Sequence, residues 1–239
     1  MRKLLRISTL GGLDIQYGGE PITGLASRKA EALLVYLAIT GRPHPRESLA
    51  TMLWDDKSQS RSLSNLSVLL TSLRKQLNPY IITTRQTAAF NQEGDYWLDI
   101  TELETHISLW RERIGLNSAL SVTAIKEIEG ALGMYEGDFL AGFYIRDSHD
   151  FEEWALLKRE RLQYQVIETL EELATYLLNI GEYKKGIETA KRLLDLDSLH
   201  EGAHRLLMRL LTLRGQRSEA LNQYETCRQE LHKELGVQP

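Results

Sequence analysis

From Lys3 to Leu25 apolar residues stand at Leu5, Ile7, Leu13, Ile15, Tyr17 and Ile22 among others, interrupted by Gly11-Gly12 and Gly18-Gly19. Alternation broken by paired glycines predicts short antiparallel strands joined by tight turns. At Ser27 the period lengthens. Ser27 is placed to cap a helix over SRKAEALLVYLAIT, with Ala30, Leu33, Leu34 and Leu37 on one face and Gly41 as its stop. After Pro43 and Pro45 a short helix is predicted in PRESLATMLW, then a polar loop, DDKSQS, then a third helix whose leucines run from Leu63 to Leu77 and which ends at Asn78-Pro79. Beyond Pro79 the segments YIITTRQTAAFN and DYWLDI are rich in β-branched and aromatic residues, and Asn91 to Gly94 reads as the turn of a closing β-hairpin between them. Strands, three helices and a hairpin within 100 residues is the order of a winged helix-turn-helix preceded by a small sheet.

From Thr101 onward every periodic segment carries the three-and-four spacing of amphipathic helices, including a long one over HDFEEWALLKRERLQYQVIETLEELATYLLNI. Positions 34 apart correspond: Leu173 with Leu207, Leu177 with Leu211, Gly181 with Gly215, Gly186 with Ala220 and Ile187 with Leu221. That is the tetratricopeptide (TPR) period, with small residues where paired helices cross closely. The fold class expected is mainly α: an N-terminal winged helix-turn-helix (α+β) over residues 1–100 and an all-α, TPR-like helical-repeat domain over 101–239.

Composition narrows the function. No apolar run approaches the ~18 residues of a membrane span, and the N-terminal MRKLLRISTLGG lacks the apolar core of a secretory signal, so a cytoplasmic protein without membrane contact is expected. The single cysteine, Cys227, excludes an internal disulfide framework and reads as core filler. A net charge of -4 conceals an uneven distribution, +3 over residues 1–100 and -7 over the remainder. From Lys57 to Gln92 there are five basic residues and no acidic one, and the third helix lies inside that window.

Catalytic and cofactor motifs are few. His200 to His204 reads HEGAH, a formal match to the H-E-x-x-H zinc-protease string, but it begins a repeat helix, where packed histidines are ordinary. No P-loop string and no nucleophile elbow occur. No enzyme activity, cofactor or metal is therefore expected. Trp54, Trp97, Trp110 and Trp154 are scattered and read as packing residues.

Several stretches together resemble the SARP-type transcriptional regulators, in which an OmpR-type DNA-binding domain precedes a bacterial transcriptional activator domain. They are Gly137-Asp138-Phe139-Leu140, AHRLLMRLL from Ala203 to Leu211, the closing Glu234-Leu235-Gly236-Val237, and TRQTAAFN with DYWLD. The resemblance covers nearly the whole chain. It implies that the third helix enters the DNA major groove, that the wing touches the adjacent backbone or minor groove, and that the helical domain serves dimerisation or regulation. Larger members continue into an ATPase and sensor repeats, and Pro239 falls where such an extension would begin. Both a compact regulator and the N-terminal piece of a larger one stay open.

On a wheel of 100° per residue, Leu63, Leu66, Leu69, Leu70, Leu73 and Leu77 occupy an arc of roughly 120°. Arg61, Ser64, Val68, Thr71, Ser72 and Lys75 lie opposite. Short polar groups for base edges, an apolar contact for a thymine methyl and cations for phosphates are what a DNA reader needs. Arg74, at the edge of the leucine arc, reaches toward the backbone. Arg85 in the wing is a minor-groove or phosphate contact, and Arg46, opening the second helix, a phosphate contact. Arg28 and Lys29, at the start of the first helix, are weaker backbone candidates. Many members of the family that the chain resembles carry arginine or glutamine where Ser67, Val68 and Ser72 stand here, so base reading is expected to be light and phosphate contact dominant. The partners expected are double-stranded DNA, RNA polymerase through sigma or another subunit, and a second copy of the chain in a homodimer. The function expected is a sequence-specific DNA-binding activator. The alternatives are a TPR-type protein-interaction adaptor, or the N-terminal fragment of a larger signalling ATPase regulator with weak or no DNA binding.

Overall fold

The computed structural model describes residues 3–22, 25, 27–115 and 120–237. Residues 23 and 24, at the end of the first predicted strand stretch, lie outside it. The chain forms two compact units, Met1–Arg161 and Leu162–Pro239.

The first unit begins with a four-stranded sheet. Strands β1 (Leu5–Ser8), β2 (Asp14–Tyr17) and β3 (Glu20–Pro21) form an antiparallel meander, and β7 (Tyr96–Leu98) adds parallel to β1 with Leu5 opposite Tyr96. Helix α1 (Arg28–Thr40) follows, with seven buried residues, and ends on Gly41, whose φ of 63° lets its N–H reach the Leu37 carbonyl at 3.1 Å. A second, three-stranded sheet joins β4 (His44–Pro45), β6 (Thr87–Phe90) and β5 (Ile81–Thr83) in that order. Between its strands run α2 (Arg46–Leu53) and α3 (Gln59–Gln76).

One predicted pairing is corrected. The hairpin turn is Thr84–Gln86, inside YIITTRQTAAFN, and DYWLDI leaves the wing to join the N-terminal sheet. The cause is Asp99. Its buried carboxylate accepts from the Thr9 N–H at 2.5 Å, the Leu10 N–H at 2.8 Å and the Thr9 hydroxyl at 2.9 Å, at the end of β1. It also accepts from the Ile100 N–H at 2.7 Å, in the first turn of α4 (Asp99–Gly115). One side chain thus ties the end of the β1–β7 backbone ladder to the start of α4.

After α4 comes α5 (Val122–Gly133), capped by Ser121 accepting from the Ala124 N–H at 3.1 Å. The Gly137-Asp138-Phe139-Leu140 motif then returns to the sheet: Leu140 donates its N–H to the Thr9 carbonyl at 2.8 Å, and Gly11 to the Asp138 carbonyl at 3.1 Å. A Cβ on Gly137 would stand 3.2 Å from the Gly11 Cα, a tight contact that a side chain could occupy only if the backbone moved by a few tenths of an ångström. Fully buried Phe139 and Phe151 pack around Trp154 at 5.7 and 5.4 Å between ring centres.

Helix α6 (His149–Asn179) runs across the boundary between the units. The second unit holds its C-terminal half with α7 (Tyr183–Leu196), α8 (Glu201–Leu213) and α9 (Arg217–Leu235). The 34-residue correspondence is physical. Gly181 and Gly215 have φ of 82° and 84°, and in both turns the next residue donates its N–H five residues back, Glu182 to Leu177 and Gln216 to Leu211, each at 2.9 Å. Leu173, Leu177, Leu207 and Leu211 are all buried. Gly186 lets α7 meet α8, since a Cβ there would lie 2.7 Å from a Leu210 methyl. The fold is thus a winged helix-turn-helix with a small N-terminal sheet, followed by TPR-like helical hairpins.

Candidate nucleic-acid interface

Helix α3 starts four residues before the leucine run, at Gln59, because Ser58 can already accept from Arg61 and Ser62 through its carbonyl, at 2.9 and 3.0 Å. Ser62 turns inward and donates to the Trp54 carbonyl at 3.3 Å, tying the helix to the end of α2. Leu66, Leu69, Leu70, Leu73 and Leu77 are buried; Leu63 is half-buried at the margin. Arg61, Ser64, Val68, Thr71 and Lys75 are exposed, Val68 to 66%, an unusual place for valine in a helix that packs nothing on that side. Ser72 is half-buried.

The hydroxyls of this helix are partly committed. Ser67 donates to the Leu63 carbonyl and Thr71 to the Ser67 carbonyl, each at 2.8 Å. Their oxygens keep accepting capacity, which suits donor groups on cytosine or adenine.

Two arginines join α3 to the hairpin. Arg46 is half-buried and donates to the Ser67 hydroxyl at 2.6 Å and to the Thr84 carbonyl at 3.4 Å, spanning α2, α3 and the wing. Arg74 donates to the Thr83 hydroxyl in β5 at 3.2 Å. The wing turn is closed by Thr84, whose hydroxyl accepts from the Thr87 N–H at 2.9 Å and the Gln86 N–H at 3.2 Å, leaving Arg85 exposed at the tip. Among the described residues Arg61, Lys75 and Arg85 have no acidic partner, whereas Lys57 is paired with Asp56 at 3.2 Å. Four of the five cations in the acid-free window therefore keep uncompensated charge.

Sequence reasoning passed over Ile82, which is 48% exposed, and Thr84; the two-residue alternation of a strand, which turns Ile82 away from Ile81, was the available signal for the first. Arg28 and Lys29 turn elsewhere. Arg28 lies over the Phe143 ring at 5.7 Å, and Lys29 over the Trp54 ring at 5.3 Å while donating to the Leu53 and Asp147 carbonyls. Burial pushes the Lys29 ammonium below its ordinary range.

The HEGAH histidines hold helices in place. His200 caps α8 through Nδ1, accepting from the Ala203 N–H at 3.1 Å. Buried His204 uses both nitrogens, toward the Ser198 carbonyl at 2.9 Å and the Gln223 amide at 2.6 Å. Among the described residues no group of three or more His, Cys, Asp or Glu is placed to hold a metal, and no helix is long and apolar enough to cross a membrane.

Residues 98–239 match the family model of the bacterial transcriptional activator domain, more than half of the chain, and the chain belongs to that family. It is one of transcriptional regulators rather than of enzymes, and the likeness to SARP-type regulators read from the sequence stands. Among particular proteins, the chain is 25% identical over 237 residues to the regulatory protein AfsR of Streptomyces coelicolor, and 25% identical over 247 residues to AfsR of Streptomyces griseus. Each match takes in 98% of this chain and 23% of the relative, so the chain spans about a quarter of their length. The solved structure of Mycobacterium tuberculosis EmbR in complex with a low affinity phosphopeptide shares the fold, with a TM-score of 0.74 at 19% identity, over all of this chain and 62% of that one.

Proposed function

We propose that this protein is a cytoplasmic transcriptional activator that binds double-stranded DNA with α3 in the major groove and the β5–β6 hairpin on the flanking backbone or minor groove. The observation that carries this reading is the bracing of hairpin to helix by Arg46 and Arg74, which presents Arg61, Lys75 and Arg85 together with the exposed Ser64, Val68 and Thr71 and the half-buried Ser72. Arg46 and Arg74 act first as braces and offer their remaining N–H groups to phosphates. With few side chains able to make bidentate base contacts, one domain binds lightly. A homodimer on repeated half-sites combines two such contacts.

Residues 1–100 serve as the DNA-binding part. Residues 101–239 serve as the activator part, whose acidic helical surface meets a second copy of the chain and RNA polymerase through sigma or another subunit. Footprinting of the full chain on the DNA upstream of its own coding region tests this. Two protected half-sites a helical turn or a multiple of it apart are expected. The rival reading, a protein-interaction adaptor without DNA binding, draws on the exposed Leu221, Tyr224 and Leu235 of α9 and predicts no protection at all.

A further inference from the structure

Between the start of α1, the end of α2 and the segment leading into α6 lies a cavity of about 610 Å³, a volume common among small-ligand sites. Three of its lining residues are cations, Arg28, Lys29 and Arg146, and two are aromatic, Trp54 and Tyr144; among the described residues no carboxylate lines it. The carboxylates that act on Lys29, those of Asp147, Asp56 and Asp55, lie outside the lining. Asp56 is paired with Lys57, and Asp55 accepts from the His149 N–H at 2.9 Å. Arg146 is exposed, its carbonyl accepts from the Ser148 hydroxyl at 3.1 Å, and its guanidinium has no partner among the described residues. Lys29 rests on the Trp54 ring, and Tyr144 is 58% exposed at the rim. The N-terminal end of α1, where the Ser27 side chain makes no cap hydrogen bond, adds to the positive field. A smaller cavity that Arg28 also lines differs in kind, because Asp14 and Glu31 line it too and outweigh that single cation.

We infer that this cavity is a binding site for a small aromatic anion, its ring against Trp54 and Tyr144 and its carboxylate or phosphate between Arg28 and Arg146. Aromatic walls and guanidinium donors are the two elements such a ligand requires. The site adjoins the candidate reading helix: the Trp54 carbonyl accepts from Ser62 of α3, and Ser148 donates to the Leu53 carbonyl at 2.8 Å, joining the α2 end to the segment before α6. An occupant that shifts Trp54 therefore shifts what holds the start of α3. This consequence for DNA rests on the proposed function; the binding itself does not.

The test is titration of the full chain with phenyl phosphate, inorganic phosphate and benzyl alcohol, following the Trp54 indole N–H by NMR. Phenyl phosphate should give a saturable shift, inorganic phosphate a much weaker one and benzyl alcohol none. Arg28→Ala and Arg146→Ala, both at exposed positions, should each weaken phenyl phosphate roughly tenfold or more, while exposed Lys126→Ala leaves it unchanged. Absence of a saturable shift, an equal response to benzyl alcohol, or undiminished binding in both arginine variants overturns the inference. So does a finding that these variants weaken DNA binding while phenyl phosphate fails to bind, since the cations would then serve DNA phosphate. Failure of DNA binding alone would contradict the proposed function and leave this titration standing.

Discussion

At the scale of single residues, Asp99 decides more than any position in the interface. Its carboxylate accepts four hydrogen bonds in a buried setting, and replacing it with alanine leaves the Thr9 and Leu10 N–H groups without partners. Asp99→Ala should cost about 3–5 kcal/mol in urea unfolding, with Asp99→Asn losing less because one carbonyl oxygen survives. This role was not legible in the sequence, where an aspartate after a strand reads equally well as a loop residue; its partners are 89 and 90 positions away. His44 offers a pH test. Burial, and then the charge of Arg42, hold its pKa below the ordinary 6.5, and its Nε2 lies 2.7 Å from the Thr40 hydroxyl. The unfolded chain takes up the proton more readily than the folded one. The stability from neutral His44 is therefore fully present above about pH 6.5 and declines as pH falls toward the folded pKa. Melting temperatures at pH 7.5 and 5.5 should differ more for the native protein than for His44→Asn.

At the scale of the element, α3 was the best predicted part because leucine periodicity and burial report the same thing. Every leucine of the predicted arc is buried or half-buried, and the predicted outer face is exposed apart from half-buried Ser72. The start of the helix and the pairing of the wing were less legible. Both depend on backbone hydrogen bonds, the Ser58 carbonyl in one case and β1 in the other, that leave no mark in local composition. The opposing arc makes its own prediction. Val68 packs against nothing, so Val68→Glu should leave the melting temperature within about 1 °C while abolishing measurable DNA binding, by placing a carboxylate against phosphates. A large loss of stability in that variant would show that the face is covered by the protein itself.

At the scale of the whole molecule, the 34-residue repeat was readable because glycines and leucines recur in step, and the two turns close with the same hydrogen bond. It fails at one position: Ile187 is buried, but its counterpart Leu221 is 70% exposed on α9. Gly186→Leu should destabilise the repeat unit by about 3 kcal/mol or more by calorimetry, since the side chain would collide with buried Leu210. What no periodicity could convey is how Arg46 and Arg74 divide themselves between helix and wing, because both look like free surface cations until their partners are placed. The central claim concerns the cations that remain. Fluorescence anisotropy with footprinted DNA, repeated from low to moderate salt, should give a steep fall of affinity. For Arg61→Ala/Lys75→Ala the slope of log K against log salt should be shallower by about two per subunit, with unchanged thermal stability. Identical slopes for the native and variant proteins, or no binding by either, would contradict the account.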